Sequence, residues 1–332
     1  MAKVAINGIG RIGRAALKII LETPELQLVA INDLVPLENI VYLLRYDTVY
    51  GRWERKVASR DGMLVVDGES YRFLSEKDPA QLCWGELGVD IVFECTGVFT
   101  KKEELQKHLQ AGAKLVMLSA PAKSPEVMTV VYGVNEPHGG ATRIISCASC
   151  TTNCITPVVE VIGRRIGIKK AVMTTIHAYT ATQAIVDGPN KRMRRGRAGA
   201  ANLVPTSTGA ALATTKVLPK YEGKFNGVAV RVPLPVGSIA DIVFFTDRKT
   251  SVEEINKIFI EESQSEKYKG ILGITEDPIV SADIVKDPRA SVVDLEMTQV
   301  VDGDLVKIMS WYDNEWGYAS QMIRQAVSLA RV

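Results

Sequence analysis

Short, nearly continuous apolar runs alternate with amphipathic stretches through the first third of the chain. Residues 4–7 form one such run, and residues 11–22 follow with helical spacing, closed by Pro24. Residues 26–31 form a second run, which stops at Asn32-Asp33. Further runs at 89–95 and 114–120 flank a charged, helically spaced segment, 101–110. Apolar strands without polar alternation, separated by helices, predict a parallel sheet covered on both faces. Residues 63–74 read instead as a hairpin, with Asp67-Gly68 supplying the tight turn.

The pattern changes around Cys150. A strand-like run, 143–147, leads into a helical one, 151–163, and then to a strand at 169–177. Residues 178–202 are polar and glycine-rich without a clear period; an unstructured stretch of that length is usually functional or an interface. Strand-like runs follow at 227–232, 239–246, 291–297 and 305–311, with Asp302-Gly303 as a hairpin turn. Ser251 and Glu254 have the spacing of a capping box and open another helix. Residues 316–329 have helical spacing again. Strands in succession with few helices between them predict a mixed or antiparallel sheet.

Chain length divides this pattern in two, because 332 residues exceed what one core usually holds. Charge adds little. A net charge of +2 and an isoelectric point near 8.2 give no global argument for nucleic acid or an acidic membrane as partner. No stretch carries the roughly 18 apolar residues in a row of a membrane span. The strand expected from Val4 leaves no room for a signal peptide, and five cysteines are an odd number for a disulfide framework. Both observations predict a reducing, cytoplasmic setting.

Candidate chemistry sharpens the picture. Gly8, Gly10 and Gly13 fit GxGxxG between an expected strand and an expected helix, the context that this pattern requires. The first glycine allows the tight turn, the second lets the backbone approach a pyrophosphate, and the third permits close helix packing. Asp33 stands at the end of the next strand, where a carboxylate binds a ribose diol and repels a 2′-phosphate, so NAD is expected over NADP. The fold expected is α/β: a Rossmann-type dinucleotide-binding domain (1–149), an α+β catalytic domain with a mixed or antiparallel sheet (150–314), and a C-terminal helix (315–332).

Cys150 opens an expected helix between Ser149 and Thr151, and His177 ends an expected strand. A helix N-terminus favours a thiolate, and a nearby His can serve as its base. His108 and His138 read as surface residues, and Cys154 as a packing residue. Cys147, Cys150 and Cys154 lack a second Cys/His pair at metal spacing, so no metal is expected. Five of the seven residues 191–197 are basic. With Arg231 and the hydroxyls of 206–208 they suit phosphate groups, since guanidinium forks match phosphate geometry.

Together these motifs resemble the phosphorylating glyceraldehyde-3-phosphate dehydrogenase family: NGIGRIG (7–13), SCTTNC (149–154), TTIHAYTATQ (174–183), PTSTGAA (205–211), RVP (231–233) and WYDNEWGY (311–318). The resemblance implies Cys150 as nucleophile and His177 as base and oxyanion stabiliser. It implies NAD held by Gly8, Gly10, Arg11, Ile12, Gly13, Asp33, Lys77, Thr96, Gly97, Ser119 and Asn314. It assigns inorganic phosphate to Ser149, Thr151, Thr208, Gly209 and Arg195, with Arg194 one residue away as the alternative. It assigns the phosphate of glyceraldehyde 3-phosphate to Thr180 and Arg231. It also implies a homotetramer, with the stretch from Ala178 at a subunit interface, and a C-terminal helix returning to the cofactor domain.

Ile9 and Gly188-Pro189 depart from the commonest family pattern, and the latter lies near where relatives separate NAD from NADP. Erythrose-4-phosphate dehydrogenase is the alternative activity. It is disfavoured by Thr208-Gly209, which its members usually lack. A cofactor-free thiol hydrolase and a nucleic-acid-binding module are disfavoured by the glycine fingerprint and the ordinary net charge.

Overall fold

The structure, a computed structural model, describes residues 1–137 and 142–330. It divides into two compact units. One comprises Met1–Val130, Glu136–Ala148 and the chain from Met322 on; the other comprises Val131–Asn135 and Ser149–Gln321.

In the first unit, strands β1 (Ala2–Asn7) and β2 (Leu26–Asn32) are joined through helix α1 (Arg11–Ile20), and α2 (Leu37–Arg45) follows. A short ribbon, β3 (Tyr46–Asp47) with β4 (Gly51–Arg52), precedes the antiparallel strands β5 (Val57–Arg60), β6 (Met63–Val66) and β7 (Glu69–Leu74). Then come β8 (Ile91–Glu94), α3 (Lys102–Gln110), β9 (Leu115–Leu118), β10 (Met128–Thr129) and β11 (Ile144–Ser146). The sheet order is β10-β11-β9-β8-β1-β2-β7-β6-β5, parallel from β10 through β7.

β1 lies between β2 and β8, so the chain winds outward from it in both directions. Ligands of such sheets bind at the carboxyl ends of the strands at this switch point. The 63–74 hairpin forms as expected. Asp67 and Gly68 have φ of 50° and 93°, the left-handed pair that a two-residue turn requires.

The second unit begins with α4 (Cys150–Arg165) and β12 (Ile168–Ala178). After the long stretch come β13 (Val204–Ser207), α5 (Ala210–Val217), β14 (Phe225–Val232), β15 (Ser238–Thr246) and α6 (Val252–Gln264). The unit ends with β16 (Leu272–Thr275), β17 (Ser291–Val301), β18 (Leu305–Tyr312) and the start of α7 (Trp316–Ala330). The sheet order is β13-β14-β12-β15-β18-β17-β16, mixed in direction. Helices α4, α5 and α6 cover one face and share a core of Ile155, Val158, Ile162, Ile242, Phe244, Phe259 and Val293. The opposite face keeps apolar side chains in the open, among them Val172, Val228 and Leu305.

Two elements depart from the sequence reading. Residues 178–202 are not featureless: they fold on themselves around a 3-10 turn, Met193–Gly196, through Ala184 N–H to Arg195 O (3.1 Å) and Gly188 N–H to Gly196 O (2.8 Å). His108, expected at the surface, is fully buried. It lies on the inner side of α3, where Trp84 and Glu94 meet its two ring nitrogens, so its polar contacts are supplied from within. His138 lies outside the described residues.

Candidate active site

The three glycines of the fingerprint each show a different physical reason. Gly8 has φ +95°, and a Cβ there would lie 2.6 Å from the Thr96 backbone nitrogen. Around Gly10 nothing comes within 4 Å of a Cβ, which leaves room for a ligand against the backbone. At Gly13 a Cβ would fall 1.9 Å from the Gly8 carbonyl oxygen. α1 begins after Gly10 with no side-chain cap, so Arg11 and Ile12 present the helix end itself to an anion.

This loop opens on a cavity of about 770 Å³ at the carboxyl ends of the strands. Its walls include Gly8, Gly10, Asp33, Lys77, Thr96 and Val98. Asp33 Oδ2 accepts from Ile9 N–H (2.6 Å) and Oδ1 from Val35 N–H (2.9 Å), so the carboxylate is fixed at the rim. The Arg11 guanidinium pairs with Asp47, leaving its helix-terminal backbone rather than its side chain to face a pyrophosphate. Gly97 has φ +70° beside Thr96, and Ser119 bonds the Cys95 thiol at the end of β9. Volume, glycine geometry and rim carboxylate fit a dinucleotide.

In the second unit, Ser149 caps α4: its hydroxyl accepts from Thr152 N–H at 3.2 Å. The preceding Ala148 has φ +59°, a strained conformation for a residue with a Cβ. The turn sets Cys150 at the first helical position. β12 runs beneath α4, and its alternate residues Met173, Thr175 and His177 are buried. Cys150 Sγ lies 3.3 Å from His177 Nε2.

The other ring nitrogen, Nδ1, lies 2.7 Å from Ala178 O. The carbonyl can only accept and the Arg231 guanidinium, which also meets Nδ1, can only donate, so the contacts at Nδ1 suit either tautomer while Nε2 faces the sulfur. Parallel register places Arg231 of β14 beside His177, and its Nη1 donates to Ala178 O at 2.9 Å.

These surroundings set the protonation states. Burial, with Arg231 adding to it, pushes His177 down to about 3. Burial raises the Cys150 thiol, and the Arg231 charge and the helix end oppose that only in part. A helix end alone predicts a depressed thiol; here desolvation outweighs it, and the resting pair is thiol and neutral imidazole. Cys154 packs in the core with its thiol pushed up to about 12, as a structural residue should.

Tyr312 carries no role in the sequence reading. Its hydroxyl lies 2.8 Å from both Thr151 Oγ1 and Thr175 Oγ1, and its ring stands edge-on to His177 at 5.9 Å. One side chain thus ties the nucleophile's helix to the base's strand. Nothing in its own sequence neighbourhood signals this, because the partners lie 161 and 137 residues away. It also engages the Thr151 hydroxyl, so an anion at this helix end would meet Thr151 through its backbone N–H.

The expected phosphate residues form a second group. Arg195 Nε donates to Thr206 Oγ1 (3.1 Å) and Nη1 to Thr182 Oγ1 (3.3 Å), and Thr182 meets Thr180 at 2.9 Å. Arg194 is exposed, whereas Arg195 is half-buried in this cluster. The charges of Arg192, Arg195 and Arg231 press on one another. Thr208 Oγ1 accepts from Ala210 N–H (3.2 Å), and Gly209 caps α5 without a side chain. Asn314 Oδ1 accepts from Gly237 N–H (3.1 Å) and Ser238 Oγ (3.0 Å), which fixes the orientation of its amide.

Comparison with known proteins identifies the family. The family model described as "Glyceraldehyde 3-phosphate dehydrogenase, NAD binding domain" matches residues 2–102, and the one described as the C-terminal domain of the same enzyme matches residues 149–314. The glyceraldehyde-3-phosphate dehydrogenase of Streptomyces coelicolor is 47% identical over 324 residues, covering 97% of this chain and 96% of the relative. That of Clostridium acetobutylicum is 46% identical over 338 residues, covering 100% and 99%. That of Geobacillus stearothermophilus is 46% identical over 330 residues, covering 99% and 98%. The chain belongs to the glyceraldehyde-3-phosphate dehydrogenase family.

Proposed function

We infer that this chain oxidises glyceraldehyde 3-phosphate with NAD and phosphorylates the product, giving 1,3-bisphosphoglycerate. The observation that carries the reading is the 3.3 Å approach of Cys150 Sγ to Nε2 of a buried, neutral His177. As the thiol attacks the aldehyde carbon, a C–S bond forms and Nε2 takes the thiol proton. The imidazolium so formed returns that proton to the carbonyl oxygen, and a thiohemiacetal results on Cys150.

Bound NAD supplies the acceptor for the hydride that leaves this carbon. His177 Nε2 takes the hydroxyl proton as the carbonyl re-forms, leaving a thioester. An oxygen of inorganic phosphate then attacks that carbonyl, the C–S bond breaks, the leaving thiolate takes the proton held on His177, and the proton of the attacking phosphate is released.

The side chains divide between these tasks. Arg231 and Thr180 hold the substrate phosphate, and Arg195, Thr208, Gly209, Ser149 and the Thr151 backbone hold the attacking one. A concentration of guanidinium groups close enough to repel one another is stabilised by such anions. Gly8, Gly10, Arg11, Ile12 and Gly13 hold the pyrophosphate, with Asp33 on the ribose. Lys77, Thr96, Gly97 and Ser119 line the remaining length, and the fixed Asn314 amide meets the carboxamide.

The chain is proposed to work as a homotetramer in the cytoplasm. The uncovered apolar sheet face and the exposed Ile185, Val186 and Met193 of the long loop are surfaces that a second copy would cover. All five cysteines are free, as a reducing compartment requires. No helix among the described residues is long and apolar enough to cross a membrane.

The test is NADH formation from glyceraldehyde 3-phosphate with and without inorganic phosphate. Turnover that requires phosphate supports the reading. Sustained turnover without it would mean hydrolysis of the thioester, the behaviour expected of the erythrose-4-phosphate alternative.

A further inference from the structure

A full carboxylate lies beneath the dinucleotide cavity, outside its lining. Glu94, at the end of β8, is completely buried, and nothing in the proposed reaction uses it. Burying a charge is costly unless each lone pair is met, and here each oxygen is met twice. Oε1 accepts from Thr96 N–H at 2.8 Å and from the Thr96 hydroxyl. Oε2 accepts from Asn7 Nδ2 (2.6 Å) and lies 3.0 Å from His108 Nε2.

The donor set is directional. Trp84 Nε1–H can only donate, and it lies 3.0 Å from His108 Nδ1. The imidazole's single proton is therefore on Nε2 and points at Glu94. On the other side, Asn7 Oδ1 accepts from Asn32 Nδ2 (2.7 Å), which also donates to Glu76 O (2.9 Å), while Glu76 N–H returns to Asn32 Oδ1 (2.8 Å). Asn7, Asn32, Glu76 and Thr96 all line the cavity. Thr96, held twice by Glu94, is the residue whose backbone crowds Gly8.

We propose that Glu94, oriented by His108 and Trp84, is a cofactor-positioning residue: it fixes Asn7 and Thr96 so that the glycine loop and cavity walls are set for NAD before NAD arrives. The inference rests on the reading that this unit binds NAD. An apolar residue of similar size would serve stability at least as well; a charge with four directed donors is what holds two cavity walls in fixed positions. A Gln at this position presents an NH₂ to donors on one side or the other, so one wall is released.

The experiment is calorimetric titration of NAD into wild type and Glu94→Gln, alongside the rate at which iodoacetamide alkylates Cys150. The proposal expects the Kd for NAD, and the KM for NAD, to rise about tenfold or more. It also expects kcat at saturating NAD and the alkylation rate to stay within about twofold. A Kd within twofold of wild type overturns it, as does an alkylation rate that changes in step with affinity, which would mark a general loss of structure.

Should Glu94→Gln fail to fold, Trp84→Phe decides. Loss of the indole donor leaves Nδ1 of His108 unmet in the core, so the ring that donates to Glu94 is no longer held in place. The Kd should rise at least about threefold, and an unchanged Kd overturns the proposal. Wild-type protein that fails to bind NAD at all would refute the parent reading instead, so the two failures are distinct.

Discussion

The guanidinium of Arg231 rests against Nδ1 of His177, on the side of the ring away from the nucleophile. Its charge has opposite effects on the two reacting groups. It makes an imidazolium harder to form and a thiolate easier to form. Removing the charge should therefore raise both proton affinities. In Arg231→Leu the alkaline limb of Cys150 alkylation by iodoacetamide should move up by about one pH unit, with KM for glyceraldehyde 3-phosphate also raised. A limb that stays in place would show that Arg231 does not act on the thiol.

The depressed His177 makes a prediction about stability. Folded, the ring stays neutral down to about 3, whereas in an unfolded chain it takes a proton near 6.5. The unfolded state thus binds more protons between those values, and stability falls as pH drops through that window. Above about pH 6.5 the residue contributes no slope. Urea unfolding of wild type and His177→Asn at pH 7.5, 6 and 5 should show wild type losing more stability than the variant over this range. Equal losses would contradict a buried neutral imidazole.

Tyr312→Phe keeps the ring against His177 and removes the hydroxyl shared by Thr151 and Thr175. Two buried hydroxyls then lose a partner, at a cost of about 1–3 kcal/mol in stability. With α4 and β12 no longer joined at that point, the thiol and imidazole drift from 3.3 Å, and kcat should fall about tenfold. Affinity for NAD should stay unchanged. Wild-type kcat in the variant would remove Tyr312 from the site's architecture.

The glycine loop offers a paired test. Gly13→Ala would force a Cβ to within 1.9 Å of the Gly8 carbonyl, so this variant should be destabilised or fail to fold. Gly10→Ala meets nothing within 4 Å and should melt near the wild-type temperature, yet bind NAD at least about tenfold more weakly. Wild-type affinity in Gly10→Ala would place the pyrophosphate elsewhere.

What could be read from the sequence was whatever local pattern determines. The 63–74 hairpin, the switch from parallel to mixed strands and the glycine roles all follow from side-chain period or from backbone freedom at one residue. The Cys150–His177 pair was visible as two element boundaries. β13 and α5 carry no local pattern that marks them. The helix is rich in Ala and Thr, and it forms against α4, where Thr214 Oγ1 meets Thr156 Oγ1 at 3.0 Å. The fate of His108 was hidden for a related reason. α3 is mostly polar, and only the tertiary positions of Trp84 and Glu94 make its one imidazole a core group. The thiol's raised proton affinity likewise depends on burial, which no spacing encodes.

The central claim is a covalent intermediate on Cys150. The direct measurement is intact and peptide mass spectrometry after mixing enzyme, NAD and glyceraldehyde 3-phosphate without inorganic phosphate, with NADH followed in the same mixture. The mechanism predicts a burst of about one NADH per chain and a phosphoglyceroyl adduct on the peptide carrying Cys150, released on adding phosphate. An adduct on another residue, or steady NADH formation with no adduct, would contradict it.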